Sequence, residues 1–294
     1  MKQIPRESID CMVTSPPYWA LRDYGVRGQT GLELDVEEYI ERLCGVFDEV
    51  KRVLKASGTC WVNLGDTYST RASKGLWSAY LQTKSAPRAN GAPRASRPYT
   101  RLPSKCLLQV PGRFAIAMIH RGWVLRNEII WHKPNAMPSS AKDRFTMDFE
   151  KIFFFVKSRR YFEQQFEQLR NRERLSRPLV GQVRKRKRVY GDAFISVINP
   201  KTAEASRARM LQRGRNKRCV WPIATSPFHG NHFAVYPAQL VEVPIKAGCP
   251  KGGVVLDPFV GSGTTALVAR KLERKFIGID INPAHAQMAR NRLL

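Results

Sequence analysis

The chain has 294 residues, with 50 Lys and Arg against 24 Asp and Glu, and a formal net charge of +26. This length allows one large α/β domain with insertions, and no apolar run approaches the roughly 20 residues of a membrane helix. The start, MKQIP, is not a signal peptide, and six scattered cysteines argue against a disulfide framework and a zinc site. We therefore expect a cytoplasmic protein with no membrane and no metal partner.

The positive charge is concentrated in two segments. Residues 157–218 hold 19 basic and 5 acidic residues, and residues 67–105 hold 8 basic and no acidic residues. A local excess of this size indicates a polyanionic partner, most simply nucleic acid. The densest run is Arg184, Lys185, Arg186, Lys187 and Arg188. A solvated, flexible arm is the alternative for this run.

The first third of the chain predicts a strand, a helix and a second strand. Ile9–Val13 is a short apolar run, and apolar residues recur at helical spacing from Leu34 to Leu54 after a capping signal at Asp35. Gly58–Leu64 is the second apolar run. This alternation is typical of a parallel sheet.

The first strand ends in the sequence TSPPYW, residues 14–19. Pro16 and Pro17 fix φ and remove two backbone donors, so the strand cannot continue and its carbonyls are expected to point outward. Ser15 adds a hydroxyl, and Tyr18 and Trp19 add flat rings. Such a rigid lip suits a planar base that is held by its amino group. A Pro-Pro turn that merely closes a strand is the alternative.

The middle of the chain alternates between regular elements and basic insertions. Residues 67–110 read as a basic loop or lid, with disorder as the alternative. Pro111–Arg121 predicts a helix, and Glu128–Trp131 and Lys151–Val156 predict strands. Residues 157–220 have weak periodicity, as expected for a recognition region between regular halves.

The last third predicts a helix at Pro237–Ala247, then a strand, a glycine turn and a helix over residues 253–272. Glycines in such a turn let the backbone approach a nucleotide. The spacing matches neither GxGxxG nor GxxxxGK[ST], which argues against NAD and ATP. The next strand ends at Asp280, placed to accept hydrogen bonds from ribose hydroxyls. A helix cap ahead of Pro283 is the alternative for Asp280.

Taken together, TSPPYW, DPFVGSGTT with FIGIDIN, and HFAVYPAQLVEVPI resemble the catalytic, cofactor and preceding segments of the beta-class DNA amino-methyltransferases. The resemblance implies a Rossmann-like, doubly wound, mostly parallel α/β sheet, circularly permuted, with a basic target-recognition insertion. It implies S-adenosylmethionine as cofactor, double-stranded DNA with a flipped base as partner, and a bacterial or phage origin. A homodimer stays open. The implied segments are 1–66 (catalytic half), 67–110 (basic lid), 111–156 (core), 157–220 (target recognition) and 221–294 (cofactor half).

The resemblance also implies roles for individual residues. The catalytic residues are Ser15, Pro16, Pro17 and Tyr18. The cofactor-binding residues are Asp257, Phe259, Gly261, Ser262, Gly263, Thr264 and Asp280, with Phe233 and Pro237 beside the methionine end. The DNA-binding residues are Trp19 and the cation run 184–188.

The implied reaction is site-specific methyl transfer to an exocyclic amino nitrogen in DNA. Serine at the first motif position favours cytosine N4 over adenine N6, which stays as the alternative. The absence of a Pro-Cys dipeptide argues against a cysteine nucleophile. A similar lip acting on RNA or on a protein glutamine is disfavoured by the basic block.

One departure from the family pattern concerns the amino terminus. Family members carry another strand and an acidic motif before the catalytic segment, whereas this sequence reaches its first strand within a few residues of Met1. We expect either weaker cofactor binding or a start site placed too late in this sequence. A catalytically weak or inactive DNA-binding protein is therefore a further alternative.

Overall fold

The computed structural model describes residues 1–69, 102–158, 162–167, 200–225 and 236–294. Most of the predicted lid, the cation run 184–188 and Phe233 lie outside these residues. Predictions that rest on them stay predictions.

The chain forms two compact units. One comprises Met1–Glu163 with Cys219–Leu294, and the other comprises Gln164–Arg218. The second unit contains α3 (Pro200–Arg213) and a two-stranded antiparallel sheet of β5 (Phe166–Glu167) and β6 (Arg215–Asn216). Arg215 pairs with Glu167 at 2.6 Å across this small sheet.

The first unit carries the main sheet and five helices among the described residues. Its strands are β1 (Ile9–Thr14), β2 (Leu54–Leu64), β3 (Val124–His132), β4 (Phe149–Val156), β7 (Val220–Pro222), β8 (Val254–Asp257) and β9 (Lys275–Gly278). Its helices are α1 (Val36–Val53), α2 (Val110–His120), α4 (Ala238–Gly248), α5 (Thr264–Lys271) and α6 (Pro283–Asn291).

The seven strands lie in the order β7-β3-β4-β2-β1-β8-β9. Strands β9, β8, β1 and β2 pair in parallel, β3 pairs in parallel with β7, and β4 is antiparallel to both of its neighbours. This arrangement confirms the predicted mostly parallel α/β sheet. The circular permutation and the role of the basic insertion stay predictions.

Helices cover both faces of the sheet because successive strand residues point to opposite sides. Met12 of β1 joins the core that contains α1 and α2, whereas Cys11 and Val13 join the core that contains α4 and α5. The doubly wound architecture follows from this alternation.

Helix α1 forms as its sequence predicts. The Asp35 carboxylate caps it by accepting from the Glu37 amide at 2.8 Å, and its buried residues, such as Tyr39, Leu43 and Phe47, recur at helical spacing. The helix ends at Val53 and β2 starts at Leu54, four residues before the predicted strand. In the described parts of the chain, no helix is long and apolar enough to cross a membrane.

Candidate active site

A cleft of about 1180 Å³ lies where the parallel strands of the main sheet end. Three turns line it: residues 15–18 after β1, residues 258–262 after β8, and residues 279–282 after β9. The antiparallel strand β4 begins at this edge, so its second residue, Glu150, also lines the cleft. Residues from both ends of the sequence therefore share one site.

Nine of the predicted site residues line this cleft. They are Ser15, Pro16, Pro17, Tyr18, Phe259, Gly261, Ser262, Thr264 and Asp280. Asp257, Gly263, Pro237 and Trp19 are buried and are not among the lining residues.

The proline lip, residues 15–18, is held by a hydrogen bond to its backbone. The Tyr39 hydroxyl donates to the Pro17 carbonyl at 2.9 Å, so this carbonyl is not free, contrary to the expectation for both prolines. No hydrogen bond to the Pro16 carbonyl is formed within the described residues. The Pro16 oxygen thus remains available as an acceptor at the cleft.

Trp19 is a packing residue rather than part of the lip. It is 2% exposed, and its indole nitrogen donates to the Glu33 carbonyl at 2.9 Å. Its ring belongs to the core that contains α1. The predicted DNA contact of Trp19 is therefore corrected: burial leaves no free ring face for a nucleotide.

A chain of polar side chains starts at Ser15 and runs along the cleft wall. The Ser15 hydroxyl donates to the Tyr18 oxygen at 3.3 Å, and the Tyr18 hydroxyl donates to Glu150 Oε2 at 2.5 Å. The Asn63 amide donates to Tyr18 and to Glu150 Oε2, both at 2.7 Å. Lys133 donates to Glu150 Oε1 at 2.5 Å. The lip is thus connected to β2, β3 and β4.

These contacts fix the Tyr18 side chain at both ends. Its ring lies so close to Gly65 that a Cβ there would stand 2.6 Å from a ring carbon, so only glycine fits at residue 65. Burial, and then the negative charge of Glu150, raise the pKa of Tyr18 well above its usual value. The hydroxyl therefore stays protonated and acts as a donor.

Asp257 joins the two halves of the site. Its carboxylate accepts from the hydroxyls of Thr14 and Thr265, both at 2.5 Å, from Tyr236 at 3.2 Å and from the Phe259 amide at 3.0 Å. Burial raises the pKa of Asp257, although the bonds from Thr14 and Thr265 oppose this. The carboxylate is used inside the protein and does not line the cleft, so the cofactor contact of Asp257 stays a prediction.

The other predicted carboxylate, Asp280, lines the cleft. Its oxygens accept from the backbone amides of Gly261 at 3.0 Å and Asn282 at 2.8 Å, and His285 lies 3.4 Å away. Burial acts to raise the pKa of Asp280, but the hydrogen bonds from His285 and the two amides outweigh it and hold the pKa below its usual value. Asp280 thus shapes the glycine turn and presents negative charge to the cleft.

The rest of the glycine turn packs against α6. Gly263 has φ +86°, and a Cβ there would lie 2.9 Å from Ala289, so glycine is required by packing. Arg292 donates to the carbonyl and hydroxyl of Ser262 at 2.7 and 2.9 Å. The buried Pro237 caps α4. These residues hold the turn, while Phe259 and Gly261 face the open volume.

Three side chains of the site were missed by the sequence reasoning. Asn63, Lys133 and Glu150 line the cleft and belong to the polar chain of Ser15. Lys133 and Asn63 lie at the ends of predicted strands, a position that could have indicated them. His132, the last residue of β3, faces Asp148 at 3.5 Å. No group of His, Cys, Asp and Glu in the described ranges could hold a metal ion.

The family model for DNA methylases with N6 or N4 specificity matches residues 9–291. This match spans nearly the whole chain.

The chain belongs to the DNA methylase family.

Two bacterial relatives of this methylase match it over most of its length. Type II methyltransferase M.Cfr9I of Citrobacter freundii is 38% identical over 294 residues, covering 100% of this chain and 84% of the relative. Type II methyltransferase M.SmaI of Serratia marcescens is 39% identical over 290 residues, covering 98% and 85%.

Two solved structures share the fold. The cytosine-N4-specific PvuII DNA methyltransferase superposes with a TM-score of 0.61 at 20% identity, covering 100% of this chain and 82% of the other. A putative DNA modification methylase from Thermus thermophilus, in complex with S-adenosyl-L-methionine, gives 0.57 at 22% identity, covering 99% and 87%. At these identities the likeness concerns the fold.

Proposed function

We propose that this DNA methylase transfers a methyl group from S-adenosylmethionine to the N4 amino nitrogen of cytosine in DNA. The observation that carries the proposal is the shared cleft: the Ser15 lip and the Gly261 turn line one volume. The buried bond from Thr14 to Asp257 holds the strands that precede these two turns together.

The cleft suits the methyl donor as well as a base. Its volume of about 1180 Å³ exceeds the usual range for one small ligand. Asp280 offers carboxylate oxygens for ribose hydroxyls, and Phe259 offers an apolar ring beside the glycine turn. When bound, S-adenosylmethionine supplies an electrophilic methyl group on a positively charged sulfur.

The lip prepares the acceptor nitrogen. An exocyclic amino nitrogen is a poor nucleophile because its lone pair is delocalised into the ring. Ser15 Oγ and the Pro16 carbonyl would accept its two hydrogens and direct its lone pair toward the donor site. As the C–N bond formed, the bond from the methyl group to sulfur would break, S-adenosylhomocysteine would leave and one amino proton would pass to water. Tyr18 stacks on the ring of the base.

The base must leave the duplex to reach the lip, at a cost of about a few kcal/mol that stacking and phosphate contacts offset. Site-specific methylation in a restriction-modification system is the setting implied by the Type II relatives. The basic regions 67–110 and 157–220 supply the phosphate contacts.

Cytosine is favoured because Ser15 occupies the first motif position. Adenine N6 is the alternative at the same lip. Incubation of duplex DNA with the protein and S-adenosylmethionine, followed by mass spectrometry of the nucleosides, tests both. We expect N4-methylcytosine; finding methyladenine alone would overturn the choice of base.

The same assay separates the enzyme from an inactive DNA-binding protein. DNA binding without methylated product, and with no heat of S-adenosylmethionine binding in calorimetry, would contradict the proposal. A cytoplasmic location and a homodimer stay predictions.

A further inference from the structure

Glu150 is the acidic member of the polar chain of Ser15. Its side chain is only 15% exposed, and its two oxygens accept from three different elements. Oε2 accepts from Tyr18 on the lip and from Asn63 on β2, while Oε1 accepts from Lys133 after β3. Tyr18, Asn63 and Lys133 thus all donate hydrogen bonds to the Glu150 carboxylate.

An ionised carboxylate can only accept hydrogen bonds, and this dictates the direction of every bond that leads away from it. The Tyr18 hydroxyl must donate to Glu150, so the Tyr18 oxygen can only accept from others. It accepts from Asn63 at 2.7 Å and from Ser15 at 3.3 Å. The proton of Ser15 consequently points toward Tyr18. The Asn63 amide approaches one lone pair of the Ser15 oxygen at 3.5 Å, and the other lone pair is left for a ligand.

We propose that Glu150 is a positioning residue that sets this polarity and thereby makes Ser15 an acceptor for the amino hydrogens of the target base. The proposal rests on the proposed function, since it concerns the same methyl transfer. Glu150 itself does not touch the base; it acts through Tyr18 and Ser15.

The surroundings keep the carboxylate in place. Lys133 forms a charge-assisted bond to Glu150 and lies 4.6 Å from the centroid of the Trp131 ring. Trp131 and Glu150 are register partners in the β3–β4 pair. Lys133 and Glu150 are therefore both anchored by the sheet. The fold thus sets the donor-to-acceptor direction of the hydrogen bonds from Ser15 through Tyr18 to Glu150.

A glutamine at residue 150 has nearly the same shape but accepts at one end only. If its oxygen faces Lys133, its NH₂ group meets the donors of Tyr18 and Asn63. If its oxygen faces Tyr18, its NH₂ group meets the ammonium of Lys133. Either arrangement breaks one link of the chain, and a Tyr18 hydroxyl without its acceptor can turn toward Ser15.

The first test is the Glu150→Gln variant of the full chain, with duplex DNA and S-adenosylmethionine. We expect kcat to fall by about 100-fold, the loss that a misplaced reacting group can cause, with the donor Kd and the KM for DNA unchanged. Glu128→Gln is the matched control: Glu128 on β3 pairs with Lys151 on β4 at 2.7 Å, and neither residue lines the cleft. This control should keep wild-type kcat.

A double-mutant cycle tests whether Glu150 acts through Ser15. Ser15→Ala removes the acceptor, so adding Glu150→Gln to it should lower kcat no further. Tyr18→Phe removes the hydroxyl that connects Glu150 to Ser15. In this background Glu150→Gln should likewise leave kcat unchanged. Thermal unfolding of each variant checks that the fold is retained.

Multiplicative losses in the Ser15→Ala cycle would overturn the inference, as would wild-type kcat in a folded Glu150→Gln variant. Both outcomes leave the proposed function intact, because the wild type still methylates DNA. If the wild type itself transfers no methyl group, the proposed function fails, and the inference fails with it.

Discussion

Asp257 and Asp280 have the same side chain, but their surroundings give them different tasks. Asp257 is 2% exposed and accepts four hydrogen bonds from the protein, which satisfy a buried carboxylate. Asp280 lines the cleft and accepts from two backbone amides, with His285 3.4 Å away. Position after a strand therefore does not separate a buried carboxylate from one that lines the cleft; the protein donors around each carboxylate do.

Asp280→Asn should weaken S-adenosylmethionine binding more than it slows turnover. The amide offers one acceptor where the carboxylate offers two, so a ribose hydroxyl competes with the amides of Gly261 and Asn282. We expect a loss of about 1.5–3 kcal/mol, on the order of 10- to 100-fold in Kd, with a smaller change in kcat at saturating donor. Titration calorimetry and single-turnover assays measure the two quantities.

Ser15→Ala should slow turnover more than it weakens S-adenosylmethionine binding. It removes an acceptor for the base and leaves the S-adenosylmethionine site unchanged. Glu273→Gln is the control for charge, since Glu273 is exposed and pairs with Lys251 at 3.0 Å outside the cleft. Unchanged donor affinity in Asp280→Asn, or an equal effect of Ser15→Ala on that affinity, would contradict the assignment.

At the scale of elements, the antiparallel direction of β4 decides which residues meet in the cleft. Because β4 begins where its neighbours end, Glu150 reaches the edge that carries Lys133 and Asn63. The apolar run 151–156 predicted the strand but not its direction, and Glu150 lies just before that run. Strand direction is set by which strands pair, and this non-local choice is why the sequence missed Glu150.

Local sequence patterns predicted which helices and strands form better than they predicted the first and last residues of these elements. The periodicity of α1 and the cap at Asp35 were read correctly because both signals are local. Strand β2 begins at Leu54, where the helix passes directly into the sheet and the expected break is absent. Strand β9 ends at Gly278, so Asp280 lies in a turn rather than at the strand end. The catalytic role predicted for TSPPYW and the cofactor role predicted for DPFVGSGTT were implied by the family resemblance.

Thr14→Val tests the bond that joins β1 to β8. Thr14 is buried, and valine replaces its hydroxyl with a methyl group of similar size. The carboxylate of Asp257 then loses one of its four donors, so we expect the free energy of unfolding to fall by about 1–3 kcal/mol. Urea unfolding measures this loss. Thr14→Ser, which keeps the bond, should cost less.

The cost of Thr14→Val should depend on pH, because Asp257 titrates. Burial raises the pKa of Asp257 above its unfolded value, so this group opposes folding as pH rises through the raised value, and the effect is absent where both states are protonated. Removal of a donor raises the folded pKa further. The difference in unfolding free energy between variant and wild type should thus grow as pH rises from below the ordinary aspartate pKa, where both states are protonated, toward neutral pH. A difference that does not change over this range would argue against a charged Asp257.

Strands β1 and β8 come from opposite ends of the sequence and pair in the main sheet. Asp10 on β1 accepts from the Val254 amide at 2.9 Å and from Lys55 at 2.7 Å, while Thr14 donates to Asp257. The Asp10–Val254 and Thr14–Asp257 bonds each join residues more than 240 positions apart in the sequence. In consequence, the cleft between the turns after β1 and β8 depends on the pairing of strands from opposite ends of the sequence.

The cation run 184–188 is expected to contact DNA phosphates. Replacing the five cations of run 184–188 by serine should lower the salt dependence of DNA binding, because each phosphate contact releases about 0.9 counterion. The slope of log K against log salt should become shallower by up to about 4.5. Binding is measured by fluorescence anisotropy between low and physiological salt. The control replaces five exposed cations outside the cleft: Lys2, Lys251, Lys271, Lys275 and Arg290. The control removes the same net charge, so equal slopes in both variants would show that overall charge, and not run 184–188, binds the DNA.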